Sequence, residues 1–261
     1  MKAWKRYYEG LNRILEQIID SQEENMLKAA RILADTTEKG GIIYSFGTWH
    51  SMLIGEEQFY RAASPANFMA ICEPSLNGTS EMSSLYRFEG LYGFGEAIID
   101  HWHIDPEKDA LILVSNSGNN IVGVDAALRA KQLGIPLIAI TSVDYGNMMV
   151  TKHKSGKKLK DIADVVLDNC CPIGDAVVDL EGLPIKAGPA SGIPMTFLMS
   201  ALLLQMEELC LEDGYVPEVY YNDHVSSLTP EAREKFPWTN VDAKAHNRAL
   251  LDKYFYRIKT L

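Results

Sequence analysis

The stretch Ala110-Leu-Ile-Leu-Val-Ser-Asn-Ser-Gly-Asn-Asn120 constrains this chain more than any other. Residues 110–114 are apolar without a break and run into a small, hydroxyl-rich turn; residues 121–133 then carry a helical pattern. An unbroken apolar run bounded by a turn suits a strand buried on both faces, as in a parallel sheet. Strand, turn and helix in that order leave backbone N–H groups unpaired at the helix start, where anions bind. Ser115, Ser117, Asn119 and Asn120 add hydroxyl and amide donors. The expected ligand is a small molecule held by its phosphate.

The same unit occurs earlier. Residues 41–46 read as a strand, Gly47-Thr-Trp-His-Ser51 as a polar turn and 52–62 as a helix. Further strands are expected at 67–72, 137–141 and 163–167, and a helix at 93–102. Strands alternating with helices predict an α/β fold: a doubly wound, five-stranded parallel sheet. Ligands of such sheets lie beyond the carboxyl ends of the strands, near the point where strand order reverses. Both polar turns follow strand carboxyl ends.

Around this core, residues 1–40 read as an N-terminal helical arm, its apolar residues at helical spacing, closed by Lys39-Gly-Gly41. It covers the sheet or a second subunit. Residues 41–212 form the ligand-binding domain and 213–261 a partly helical extension. Residues 73–91 read as an irregular loop overhanging the pocket, 169–194 as a loop or extended arm, and 225–238 as irregular. A helix is expected at 194–211 and another at 243–259.

Composition narrows the partners. The 261 residues carry a net charge of −10, which argues against a nucleic-acid footprint but not against one phosphate held by backbone N–H groups. The four cysteines form no C-x-x-C pair, so a reduced, cytoplasmic protein is expected. The first residues are too polar for a signal peptide. No apolar run approaches the ~20 residues of a membrane span; the longest, 193–206, reads as a buried helix. The six histidines lack H-E-x-x-H spacing, and His101-Trp-His103, placed on one side of a strand, has no third ligand. No metal is expected. Nucleotide-binding glycine motifs are missing, so no cofactor is expected either.

Phe46-Gly-Thr-Trp-His-Ser51, Ser115-Asn-Ser-Gly-Asn-Asn120 and the following 126–141 resemble the sugar isomerase (SIS) domain, a flavodoxin-like fold that binds phosphosugars. Phe59-Tyr-Arg-Ala62, Ser155-Gly-Lys157, Asp168-Asn169, Gly174-Asp175-Ala176 and His246-Asn-Arg248 extend the resemblance to a bacterial subgroup. That subgroup is related to phosphoheptose isomerases and muramic acid phosphate etherases. Trp49 departs from the pattern, which usually has Gly there. The resemblance implies phosphate contacts from Ser51, Ser115, Ser117 and Asn120. Thr48 and the backbone of Gly47, Gly118 and Asn119 assist, and Asn116 lies in the same turn. It also implies a homodimer or higher homo-oligomer whose sites are completed across the interface.

The reaction is less constrained. Isomerising a phosphosugar, or eliminating a substituent beside its carbonyl, needs a base for a carbon-bound proton and an acid for oxygen. Glu89, in Glu89-Gly90, resembles the Glu-Gly of the etherases. Glu57 lies on the helix after the first turn, where several superfamily members carry a catalytic Glu two to five residues further on; pairing with Arg61 is its alternative. His50 lies in the first turn, and His246 matches the late histidine that related isomerases use. In the basic run 152–160, His153 or Lys157 could close over an anion, although a solvated loop is the simpler expectation. The functional expectation is a sugar-phosphate isomerase, with a phosphosugar lyase and a non-catalytic sensor as alternatives.

Overall fold

A computed structural model describes residues 1–78 and 82–255. Helices α1 (Ala3–Ser21) and α2 (Glu23–Glu38) lead into strand β1 (Ile43–Gly47) and the short helix α3 (Met52–Glu56). Strand β2 (Phe68–Ile71), helices α4 (Met82–Glu89) and α5 (Phe94–Trp102), strand β3 (Ala110–Val114) and helix α6 (Ile121–Leu133) follow. Next come β4 (Leu137–Thr141), α7 (Val143–Met148), β5 (Val165–Asp168), β6 (Ala176–Val178), β7 (Ala187–Pro189) and α8 (Gly192–Glu212). Helices α9 (Pro230–Lys235) and α10 (Ala243–Phe255) complete the described chain.

The main sheet is parallel, in the order β2-β1-β3-β4-β5. This is the doubly wound arrangement expected from the apolar runs. Every residue of β3 is buried, and the strand divides them between two cores. Ala110, Ile112 and Val114 face a core built with α1, α2 and α8, whereas Leu111 and Leu113 face one built with α5 and α6. Alternation sends successive side chains to opposite faces, so a strand covered on both needs apolar residues throughout. Helix α6 starts at Asn120, in extended backbone, and stops at Gly134, whose left-handed conformation lets its N–H reach the carbonyls of Ala130 and Lys131.

The order reverses between β1 and β3, which are direct neighbours. Their register pairs Gly47 with Val114, so the first residues beyond the two strands, Thr48 and Ser115, emerge side by side.

Four local expectations are corrected. The helix after the first turn ends at Glu56 and not near 62, because Tyr60 and Ala63 are left-handed and the chain turns to pair with residues 218–220. The overhanging loop holds helix α4, with Glu89 as its last residue. The Gly- and Pro-rich segment 169–194 contains the antiparallel hairpin β6–β7. His101 and Trp102 lie in α5, with left-handed His103 as its cap, so that pair is not on a strand.

Helix α8 spans 21 residues and is, by length and composition alone, apolar enough to cross a membrane; the apolar stretch is longer than the sequence reading allows. One side of it packs on α2 and the sheet; Ile193, Leu204 and Leu211 remain exposed on the other. Glu207 on this helix has a buried Oε1 without a hydrogen-bond partner, and burial pushes its pKa up to about 7. The folded pKa lies above the unfolded value of 4.5, so the folded state holds a proton that the unfolded state has lost. Stability therefore falls as pH rises from about 4.5 to about 7. Glu207→Gln should leave Tm unchanged at pH 4.5 and raise it by about 2–4 °C at pH 8, water screening having reduced the effect. A Tm difference independent of pH would contradict this assignment.

Candidate functional site

The two polar turns meet at the carboxyl end of the sheet. Asn120, which begins α6, makes no cap to its own helix; its Nδ2 donates to Thr48 Oγ1 at 2.9 Å and joins the turns. The first N–H groups of α6 thus keep no side-chain acceptor, and they lie at the positive end of a 13-residue helix. Gly118 holds the second turn closed: at φ +59° its N–H reaches both the carbonyl and Oγ of Ser115, each at 3.1 Å. Gly47 is needed for a different reason. A Cβ there would come within 2.7 Å of the Ser51 backbone, so only glycine lets the first turn fold back. Among the described residues the hydroxyls of Ser51 and Ser117 have no hydrogen-bond partner. Between the turns is a cavity of about 10 Å³, lined by Gly47, Thr48, Ser115, Asn120 and Gly123 among others. It has room for about one water, too little for a larger group between the turns.

Two residues of the second turn do other work. The Asn119 amide is fully buried; it donates to the Val150 carbonyl at 2.8 Å and accepts from the Lys152 N–H at 3.1 Å. Asn116 accepts at Oδ1 from Asn169 at 2.9 Å, and its carbonyl accepts from the Ser142 N–H. These side chains brace the turn against neighbouring loops. Asn169 is a support the sequence reading did not single out for the site. Its place just beyond the carboxyl end of β5, the same end as both turns, is the signal that could have found it.

The basic run is also committed to structure. His153 is buried between Asp125, 2.9 Å from Nε2, and Ser155, 2.7 Å from Nδ1. Lys158 is buried and donates to the carbonyls of Gly146 and Met149, closing the end of α7. Lys157 is exposed.

Of the candidate catalytic groups, Glu89 and His50 lie at the first turn, Glu57 shares a groove with His50, and His246 lies elsewhere. Glu89 reaches the first turn: its Oε2 accepts from the Trp49 indole N–H at 2.8 Å. His50 and Glu57 line a groove of about 860 Å³ that starts at the first turn and includes Leu53, Ile193, Asp175 and Ser191. Glu57 is exposed and paired with Arg61, one helical turn on, an ion pair of little energetic weight. His246 is not brought to the turns. Its ring stacks on Tyr221 at 3.8 Å and its Nε2 bonds the Val219 carbonyl at 3.0 Å. That segment pairs with residues 63–66, just before the amino end of β2, opposite the turns.

Trp49 stands inside the first turn, where the resembled pattern usually has Gly. It adopts φ +57°, a conformation that favours glycine and costs other residues about 1–2 kcal/mol.

The family model described as SIS domain matches residues 6–142. The chain belongs to the SIS domain family. Among curated relatives, a UPF0309 protein of Shouchella clausii is 32% identical over 260 residues, covering 99% of both chains. A UPF0309 protein of Halalkalibacterium halodurans is 34% identical over 219 residues, 84% of this chain and 90% of that one. The SIS fold is seen again in a phosphoheptose isomerase from Francisella tularensis, at TM-score 0.53 and 16% identity, covering 80% of this chain and all of that one. Phosphoheptose isomerase from Neisseria gonorrhoeae aligns at TM-score 0.51 and 16% identity, over 77% of this chain and 95% of that one. This SIS chain therefore carries both polar turns at the β1/β3 junction, with a tryptophan inside the first.

Proposed function

We propose that the chain is a sugar-phosphate isomerase. The observation that carries this reading is the joining of the two turns by Asn120 and Thr48, with unclaimed hydroxyls on Ser51 and Ser117 beside the start of α6. These groups hold the phosphate. Glu89 removes the proton from C2 of the open-chain sugar while His50 gives a proton to the C1 carbonyl oxygen, forming an enediol. Returning a proton to C1 and removing one from the C2 hydroxyl completes the aldose–ketose exchange. Membership of the SIS family supports the phosphosugar; Glu89 beside the first turn supports the base. The same reading includes a homodimer, supported by the exposed apolar side of α8 next to the groove that holds His50.

A non-catalytic phosphosugar sensor is the second reading. It is favoured by the pairing of Glu57 with Arg61 and by the tethering of His246 away from the turns. The test is incubation with pentose, hexose, heptose and amino-sugar phosphates in D₂O, following the C2 proton by NMR. The isomerase predicts deuterium at C2 of at least one of them. Binding without exchange across the whole panel would replace it with the sensor.

A further inference from the structure

Trp49 stands in the first turn between Thr48, which accepts from Asn120, and His50 in the groove. It keeps a left-handed backbone although it is not glycine. Such strain persists only where surrounding contacts hold it. Three contacts are present. The indole N–H donates to the Glu89 carboxylate at 2.8 Å. The ring meets Tyr86 edge-on, with centroids 4.9 Å apart and an interplanar angle of 71°. Gly78 lies so near that a Cβ on it would come within 2.9 Å of the Trp49 Cα. Two of these partners, Tyr86 and Glu89, lie on α4, so one side chain ties the first phosphate turn to the helix that carries the carboxylate.

We propose that Trp49 is a positioning residue whose indole N–H holds the Glu89 carboxylate against the first turn, so that anion binding and the base are mechanically coupled. The proposal rests on the reading of the turns as a phosphate cradle and of Glu89 as its base. A carboxylate at a half-buried helix end still samples several rotamers. One charge-assisted donor on a rigid two-ring support fixes it at the cradle before the substrate arrives. A glycine at this position could close the turn without strain but could not reach Glu89. The side chain thus accounts for the unfavourable backbone.

The test has two arms. In the exchange assay, Trp49→Phe keeps an aromatic ring and removes the N–H. It should lower kcat about 10- to 100-fold while KM stays within about threefold. A residue that only packs would lower Tm without that split. In the second arm, the four tryptophan indole signals are read by ¹H–¹⁵N NMR of the labelled full chain, and Trp49 is assigned by its loss in Trp49→Phe. The Trp49 signal should move when Glu89→Ala deletes the acceptor, and again when inorganic phosphate is added to the unmutated protein. A kcat within twofold in Trp49→Phe overturns the proposal. So does an indole signal that ignores both Glu89→Ala and phosphate. If the unmutated protein exchanges no phosphosugar, the isomerase reading falls, and the NMR arm alone decides the coupling.

Discussion

Glu89→Gln should lower the rate of C2-proton exchange by about 10²- to 10⁴-fold, the usual contribution of a positioned acid or base. The substitution is chosen for what it preserves. A glutamine carbonyl still accepts from the Trp49 indole, so the tie seen at 2.8 Å survives while the basicity is lost. Phosphosugar affinity should change less than about threefold, because the groups proposed to hold the phosphate are untouched. Glu57→Gln is the control. Glu57 is exposed and already paired with Arg61, so its loss should cost less than about threefold in rate. Equal effects of the two substitutions would remove Glu89 from the reaction. A large effect of Glu57→Gln alone would make Glu57, which shares the groove with His50, the base in place of Glu89.

Gly95→Ala should be among the most destabilising single-methyl changes in the chain. Gly95 lies on α5 where that helix crosses the start of α6; a Cβ would stand 2.0 Å from the Val122 carbonyl oxygen and 2.7 Å from the Ala126 nitrogen. Both obstacles are backbone, so no side-chain rotation relieves the clash, and the two helices must part. The expected cost is about 3 kcal/mol, at the upper end for overpacking, with a Tm lower by about 6–12 °C. The displaced element is the first turn of α6, so phosphosugar binding should weaken as well. Gly123→Ala, in the same turn of α6, meets nothing within 4 Å. It should be neutral or stabilising by up to about 1 kcal/mol. Thermal unfolding of both variants checks the pair; a Gly95→Ala protein as stable as its parent would show that α5 and α6 are not locked together.

What the sequence revealed follows from how local each determinant is. The bounds of β3, α6 and β4 are legible because each is set within a few residues: an unbroken apolar run, a Ser/Gly/Asn turn, and the Gly134-Ile-Pro136 stop. The early end of α3 was hidden because its cause is remote; residues 63–66 bond to 218–220, about 150 positions away. Helix α4 looked irregular for a similar reason. Its Glu89 end is fastened by Trp49, forty residues earlier in the chain. In the site, the hydroxyls and amides were visible as types in a pattern, but the division of labour among them was not. Nothing local says that Asn120 faces Thr48 while Asn116 and Asn119 brace neighbouring loops. His246 shows the same limit. A polar residue in a late helix looks available, and only the tertiary structure shows it stacked on Tyr221 at the amino end of the sheet.

The central claim is that the joined turns form a phosphate cradle for a sugar, and calorimetric titration is its most direct test. Sugar phosphates and the matching unphosphorylated sugars are titrated into the unmutated protein and into Ser117→Asp. The account predicts that at least one phosphosugar binds, stabilising the fold by about 2.7 kcal/mol at a hundredfold excess over Kd. For a chain of this size that raises Tm by about 5–10 °C. The unphosphorylated sugar should give no heat. Ser117→Asp, which places a carboxylate at the proposed phosphate site, should abolish binding. Equal binding of the unphosphorylated sugar, or undiminished binding by Ser117→Asp, would contradict the cradle.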